Sequence, residues 1–100
     1  MKVLPCVISK KAISDLEDIW LYTADKWSIE QADRYYNLIF DEIAFICKNP
    51  KTARQMDDIG KNYRAAKVKS DLIFFKVEND TVRIVRILHE SMDIKSSLDD

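Results

Sequence analysis

The sequence predicts an α+β fold, with two helices packed as a hairpin on a mostly antiparallel sheet in the order β-α-α-β-β-β. Three features point to it. Apolar residues recur at helical spacing through two segments, each preceded by a serine able to cap it, Ser9 and Ser28. The run from Leu72 to His89 is rich in β-branched and aromatic residues around Asn79-Asp80, a pair that tolerates the positive φ of a tight two-residue turn. A short apolar run, Val3 to Ile8, precedes the first helix and reads as a strand.

In the first helix, Ile13, Leu16, Ile19, Trp20, Thr23 and Trp27 follow helical spacing, while Asp15, Glu17, Asp18 and Lys26 fill the other faces. Ser28 and Gln31 have the spacing of a capping box for the second helix, and Trp27 is placed to pack as a staple on its first turn. That helix carries Ala32, Tyr35, Ile39, Ile43 and Ile46 in one stripe, with Tyr36, Phe40, Ala44 and Cys47 beside it. So broad an apolar surface predicts contact with both the first helix and a sheet. Asn49-Pro50 ends it, because a residue before proline avoids the α region. Almost no turn separates the two helices, which predicts a compact antiparallel hairpin.

Residues 51–62 are polar, contain the only glycine, Gly60, and read as a loop. Tyr63 to Lys69 is the next strand and Ser70-Asp71 a tight turn into the last hairpin. The tail from Ser91 is either a last helical turn or a frayed end. Alternation puts Arg86 on the face of Val82, Ile84 and Leu88, and Arg83 on the face of Val85 and Ile87. One arginine is therefore expected near the core edge, paired with a carboxylate, and the other on the open face; the pattern does not say which. Trp20, Trp27, Tyr35, Tyr36, Phe40, Phe74 and Phe75 are expected in the core.

A chain of 100 residues with 47% apolar and 33% charged residues is expected to form one domain, residues 1–100. No apolar run approaches the roughly 20 residues of a membrane span, and the apolar start is too short for a signal peptide. A cytoplasmic location follows as the expectation. Cys6 and Cys47 are too few, and too distant in sequence, for a disulfide framework or a zinc site; both are expected to be buried and inert. No cofactor or metal is expected.

The net charge of −1 is unevenly spread: residues 48–69 hold seven basic side chains against Asp57 and Asp58. A basic segment on a nearly neutral chain suits an acidic partner at one face, or is simply a solvated loop. It does not suit coating of nucleic acid, and no sequence-specific nucleic-acid binding by the chain alone is expected.

Taken together, several segments resemble the ParE branch of the RelE/ParE toxin superfamily, the small toxins of bacterial type II toxin–antitoxin modules. They are the opening strand ending in Ser9, then Ala12-Ile13-Ser14-Asp15-Leu16-Glu17-Asp18-Ile19-Trp20 with Tyr22-Thr23, the Trp27 junction, Gln31-Ala32 with Tyr35, and Asn49-Pro50. Tyr63-Arg64, Ile73-Phe74-Phe75 and Val85-Arg86-Ile87-Leu88-His89 complete the pattern. No single piece is specific; their order and spacing are. The resemblance implies a toxin neutralised by a cognate antitoxin that wraps it with a helix and often a strand, and it leaves higher-order toxin–antitoxin assembly open. ParE-like members poison DNA gyrase without known catalysis of their own, whereas RelE-like members cleave mRNA on the ribosome.

Metal-free RNA cleavage needs a base or positioned cation near the 2′-OH, cations for the developing charge, and an acid for the leaving oxygen. Against the RelE-like pattern, the strand position for an arginine falls on Leu72, a later basic position falls around Glu90-Ser91, and the tail after Met92 has no tyrosine. Arg64 or Lys67 remains to fill one basic position. The chain is therefore expected to be a gyrase-directed toxin and not an enzyme, with no catalytic residue. The alternatives are a ribosome-dependent mRNA interferase and a non-toxic, antitoxin-binding subunit. Arg64, Lys67, Arg83, Arg86 and His89 are the candidate partner contacts, His89 being structural or partner-facing; Tyr22 or Tyr63 is a candidate for the antitoxin groove.

Overall fold

The computed structural model describes residues 2–98. Five strands, β1 (Cys6–Ile8), β2 (Arg54–Gln55), β3 (Arg64–Val68), β4 (Asp71–Glu78) and β5 (Thr81–His89), form one sheet in the order β1-β5-β4-β3-β2. Only the β1–β5 pair is parallel. Helices α1 (Lys10–Lys26) and α2 (Ile29–Lys48) cover one face, and a short α3 (Ile94–Leu98) lies near the other.

Both serines cap as expected: Ser9 Oγ accepts from Ala12 N and Ser28 Oγ from Gln31 N, each at 3.0 Å. Ser9 Oγ also donates to Val85 O at 2.7 Å, tying the start of α1 to β5. Trp20 Nε1 donates to Asp33 at 2.9 Å and joins the two helices. In the hairpin turn, Asn79 and Asp80 have φ of 52° and 57°, the left-handed pair a two-residue turn of this kind requires.

The polar segment after α2 is more ordered than a loop. A 3-10 turn (Pro50–Thr52) leads into β2, which pairs Arg54 with Ala65 and Gln55 with Arg64. Two residues carry no readable alternation, so the edge strand had no signature. The first strand is shorter than Val3 to Ile8, and the turn before β4 falls at Lys69-Ser70, with Lys69 at φ 54° and Asp71 already paired to Val68.

A β-bulge corrects the face assignment on β5. Phe74 pairs with Arg86 and Phe75 with Ile84, which leaves Val85 as the extra residue. Beyond it the alternation is offset. Ile87 thus joins Val82, Ile84, Ile73, Phe75 and the helix residues Ala12, Leu16, Ile39 and Ile43 in the main core. Leu88 turns to the opposite face with Phe74 and Ala65, where Ile94, Leu98, Met56 and Tyr63 pack over it. Phe74 and Phe75, next to each other on β4, therefore anchor two cores on opposite sides of the sheet. Each is fully buried and contributes roughly 2–3 kcal/mol of apolar transfer free energy.

Two expectations about burial fail. Trp27 is 68% exposed, because the chain turns at this C-cap residue between α1 and α2 and leaves the indole on the outer lip; Tyr36 is also exposed. Cys6 is exposed on the edge strand, while Cys47 is buried. No helix among the described residues is long and apolar enough to cross a membrane.

Candidate partner-binding groove

Strand β1 covers β5 only from Val82 to Ile84. Past that point the outer edge of β5 faces α1 directly, and Asp15 takes the place a neighbouring strand would occupy. Its Oδ2 accepts the Ile87 backbone N–H at 3.0 Å, and both of its oxygens accept from the Arg86 guanidinium at 2.8 Å. A third guanidinium bond, to Ser97 O at 3.0 Å, holds α3 to the same arginine. The pair is largely buried, so bidentate geometry and the extra backbone donor are what offset its desolvation.

Above this floor lies a groove of about 870 Å³. Its α1 wall is Asp18, Ile19, Tyr22 and Thr23, its far wall Gln31 and Tyr35 of α2, and its open end Lys69 to Asp71, His89 and Met92. Three apolar side chains stand around the rim, Tyr22 at 61%, Trp27 at 68% and Met92 at 46% exposure. Deeper in, Tyr35 Oη lies 2.5 Å from the buried Asp71 carboxylate and 2.9 Å from Val68 O. A phenol has one hydrogen, and the carboxylate is the stronger acceptor. Burial, then the bond to Asp71, holds the Tyr35 hydroxyl well above the usual phenol range, so it stays a neutral donor.

The five sequence candidates do not converge. Arg86 and His89 line the groove, Arg86 committed to Asp15. His89 is exposed; its Nδ1 accepts from Ser91 N at 3.1 Å and meets Ser91 Oγ at 2.6 Å, which puts the neutral ring's hydrogen on Nε2. Arg64 turns to the helix side, where Nη1 donates to Ala53 O at 2.8 Å and Lys51 O at 3.3 Å, fixing the segment before β2. Lys67, on the opposite face of β3, pairs with Glu90 at 3.0 Å. Arg83 is exposed on that same face, directly across from Lys76, whose Nζ sits 4.5 Å from the Tyr63 ring centroid. Tyr22 lines the groove and Tyr63 does not.

The sequence reading missed Asp18, Thr23, Gln31 and Asp71. The α1 wall had a signal, since Asp15, Asp18, Ile19, Tyr22 and Thr23 lie at positions i, i+3, i+4, i+7 and i+8 of one helix. Asp71 had none, because it was read as part of a turn.

The family model of the ParE toxin of type II toxin–antitoxin systems matches residues 6–94. Toxin ParE1 of Mycobacterium tuberculosis is 33% identical over 93 residues, covering 92% of this chain and 95% of its own. Toxin ParE1 of Caulobacter vibrioides is 32% identical over 94 residues, covering 94% and 97%. Among solved structures, a chromosomal ParDE toxin–antitoxin system from P. aeruginosa superposes with a TM-score of 0.77 at 16% identity, over 87% of this chain and 96% of that one. The RelBE2 toxin–antitoxin complex of M. tuberculosis follows at 0.63 and 15%, over 88% and 99%. At such identities the structural likeness speaks for the fold, and it agrees with the helical hairpin on a five-stranded sheet. The family match and the two relatives span nearly the whole chain, and by them this protein belongs to the ParE toxin family of type II toxin–antitoxin systems.

Proposed function

We propose that the chain inhibits DNA gyrase and is silenced by a cognate antitoxin whose amphipathic helix lies in the groove between α1, α2 and the end of β5. The apolar rim carries the antitoxin part of this reading. Tyr22, Trp27 and Met92 are large, exposed and grouped around a concave site, the arrangement expected where another protein docks. The gyrase part rests on family membership and on the dispersal of the candidate cations. Arg64, Lys67 and Arg86 each hold a structural partner, and none of the five candidates is placed as an acid–base pair. The purified toxin is expected to inhibit supercoiling and trap cleaved DNA, with relief on adding the antitoxin encoded beside it. Unimpaired supercoiling at stoichiometric toxin removes the target, and a groove that stays accessible in the complex removes the docking site.

One observation favours the second reading, mRNA cleavage on the ribosome. Arg83 and Lys76 stand side by side with Tyr63 on the face away from α1 and α2, and two adjacent cations with a phenol are groups that can address a phosphodiester. Transcripts that remain uncut on toxin-treated ribosomes eliminate it.

A further inference from the structure

Cys6 and Cys47 lie far apart in sequence, yet the fold brings them together. Leu4 and Ile8, each two residues from Cys6, pack against the core cluster that contains Cys47, and alternation along the extended chain turns Cys6 to the same side. Leu4 N donates to Cys47 O at 3.0 Å, which clamps the segment entering β1 onto the last turn of α2. The Cys47 side chain is thus a neighbour of Cys6, near enough to disfavour ionisation of its thiol.

We propose that Cys6 and Cys47 form a reversible intramolecular disulfide by exchange with a low-molecular-weight disulfide, closing a loop around the whole α1–α2 hairpin. This goes beyond the toxin reading and does not depend on it. In the first step the Cys6 thiolate attacks one sulfur of oxidised glutathione, giving a mixed disulfide and one glutathione thiolate. The Cys47 thiolate then attacks the Cys6 sulfur and releases the second. Two protein thiols are oxidised and one glutathione disulfide is reduced to two thiols, so electrons balance, and the two protein protons go to solvent or to the departing thiolates. Cys6 is the first to react because it is exposed, whereas Cys47 is buried.

Burial and the neighbouring Cys47 push the Cys6 thiol up to about 12. Little thiolate is present at neutral pH, so closure is slow there and accelerates as pH rises. Once closed, the loop removes conformational freedom from the unfolded chain, and the unfolding equilibrium constant is expected to fall by roughly two to three orders of magnitude.

The test is incubation of the full chain at low concentration with oxidised glutathione at mildly alkaline pH. Acid quenching, alkylation in denaturant and intact-mass measurement follow. The expected product is monomeric, lighter by two hydrogens, closed to alkylation and restored by dithiothreitol. Cys6→Ser and Cys47→Ser controls, denatured before exposure so that the remaining thiol is accessible, should each take one glutathione and stop. A wild-type chain that retains two alkylatable thiols, stops at a glutathione adduct, or forms a disulfide-linked dimer overturns the proposal. A closed product whose urea midpoint does not exceed that of the reduced chain overturns the claim that it clamps β1 to α2.

Discussion

Asp15 on α1 and Arg86 on β5, 71 residues apart in the chain, meet through two hydrogen bonds of 2.8 Å in a largely buried site. The same carboxylate holds the Ile87 N–H, so one side chain closes the sheet edge and orients the cation beneath the groove. Asp15→Ala leaves both a guanidinium and a backbone donor without this acceptor and is expected to cost about 3–5 kcal/mol. Arg86→Lys keeps the charge but not the fork, and about 1–2 kcal/mol is expected. Urea unfolding of the two variants measures the order; a Lys variant as damaged as the Ala variant would contradict the bidentate argument.

Gly60 is needed for space rather than for its backbone freedom. A Cβ at this position would sit 2.4 Å from Tyr63 Cδ2 and 2.5 Å from Cε2. The Tyr63 ring cannot yield freely, since it packs in the second core and underlies Lys76 Nζ. Gly60→Ala is therefore expected to destabilise by about 1–3 kcal/mol. In a Tyr63→Ala background the same substitution should cost little, and additive losses in that double-mutant cycle would place the strain elsewhere.

The elements with a period long enough to read were legible in sequence. The serine caps, the broad stripe on α2 and the Asn79-Asp80 turn all lie where local chemistry puts them. The β-bulge at Val85 was not readable, because one extra residue preserves composition while offsetting every later position. That is why Leu88 and Ile87 exchanged faces, whereas the roles of Arg83 and Arg86 stayed open because alternation alone does not say which strand face meets the helices. The groove was half readable. Its α1 wall is a helical stripe, but its floor depends on Asp15 meeting Ile87, and its rim on Trp27 turning outward at a C-cap. Both are consequences of tertiary packing. Cys6 and Cys47 make the same point, since sequence distance hid a contact that the parallel β1 strand creates.

Glu42 on α2 has its carboxyl raised above the ordinary 4.5 by partial burial. A carboxyl raised in the folded state favours folding when protonated, so its contribution is fully present below the unfolded value and lost as pH rises through the folded one. Glu42→Gln should remove that loss. The urea midpoint of the variant is then expected to match wild type in acid and to exceed it at neutral pH. A difference that stays constant across the carboxylate range would assign the effect to something other than titration.

Trp27 separates binding from stability. At 68% exposure its indole buries little on folding. Trp27→Ala should therefore shift the unfolding free energy by less than about 1 kcal/mol, whereas a fully buried ring such as Phe74 should cost about 3–5 kcal/mol when cut to alanine. Docked under an antitoxin helix, the same indole becomes a buried aromatic anchor, where truncation typically weakens binding by 2 kcal/mol or more, roughly thirtyfold in Kd. Tyr22→Ala, on the same rim, should behave alike to a smaller extent. Calorimetric titration of the two variants with the antitoxin, beside their urea midpoints, distinguishes the cases. Unchanged affinity with unchanged stability would move the antitoxin off this groove, and a stability loss comparable to Phe74→Ala would make Trp27 a core residue after all.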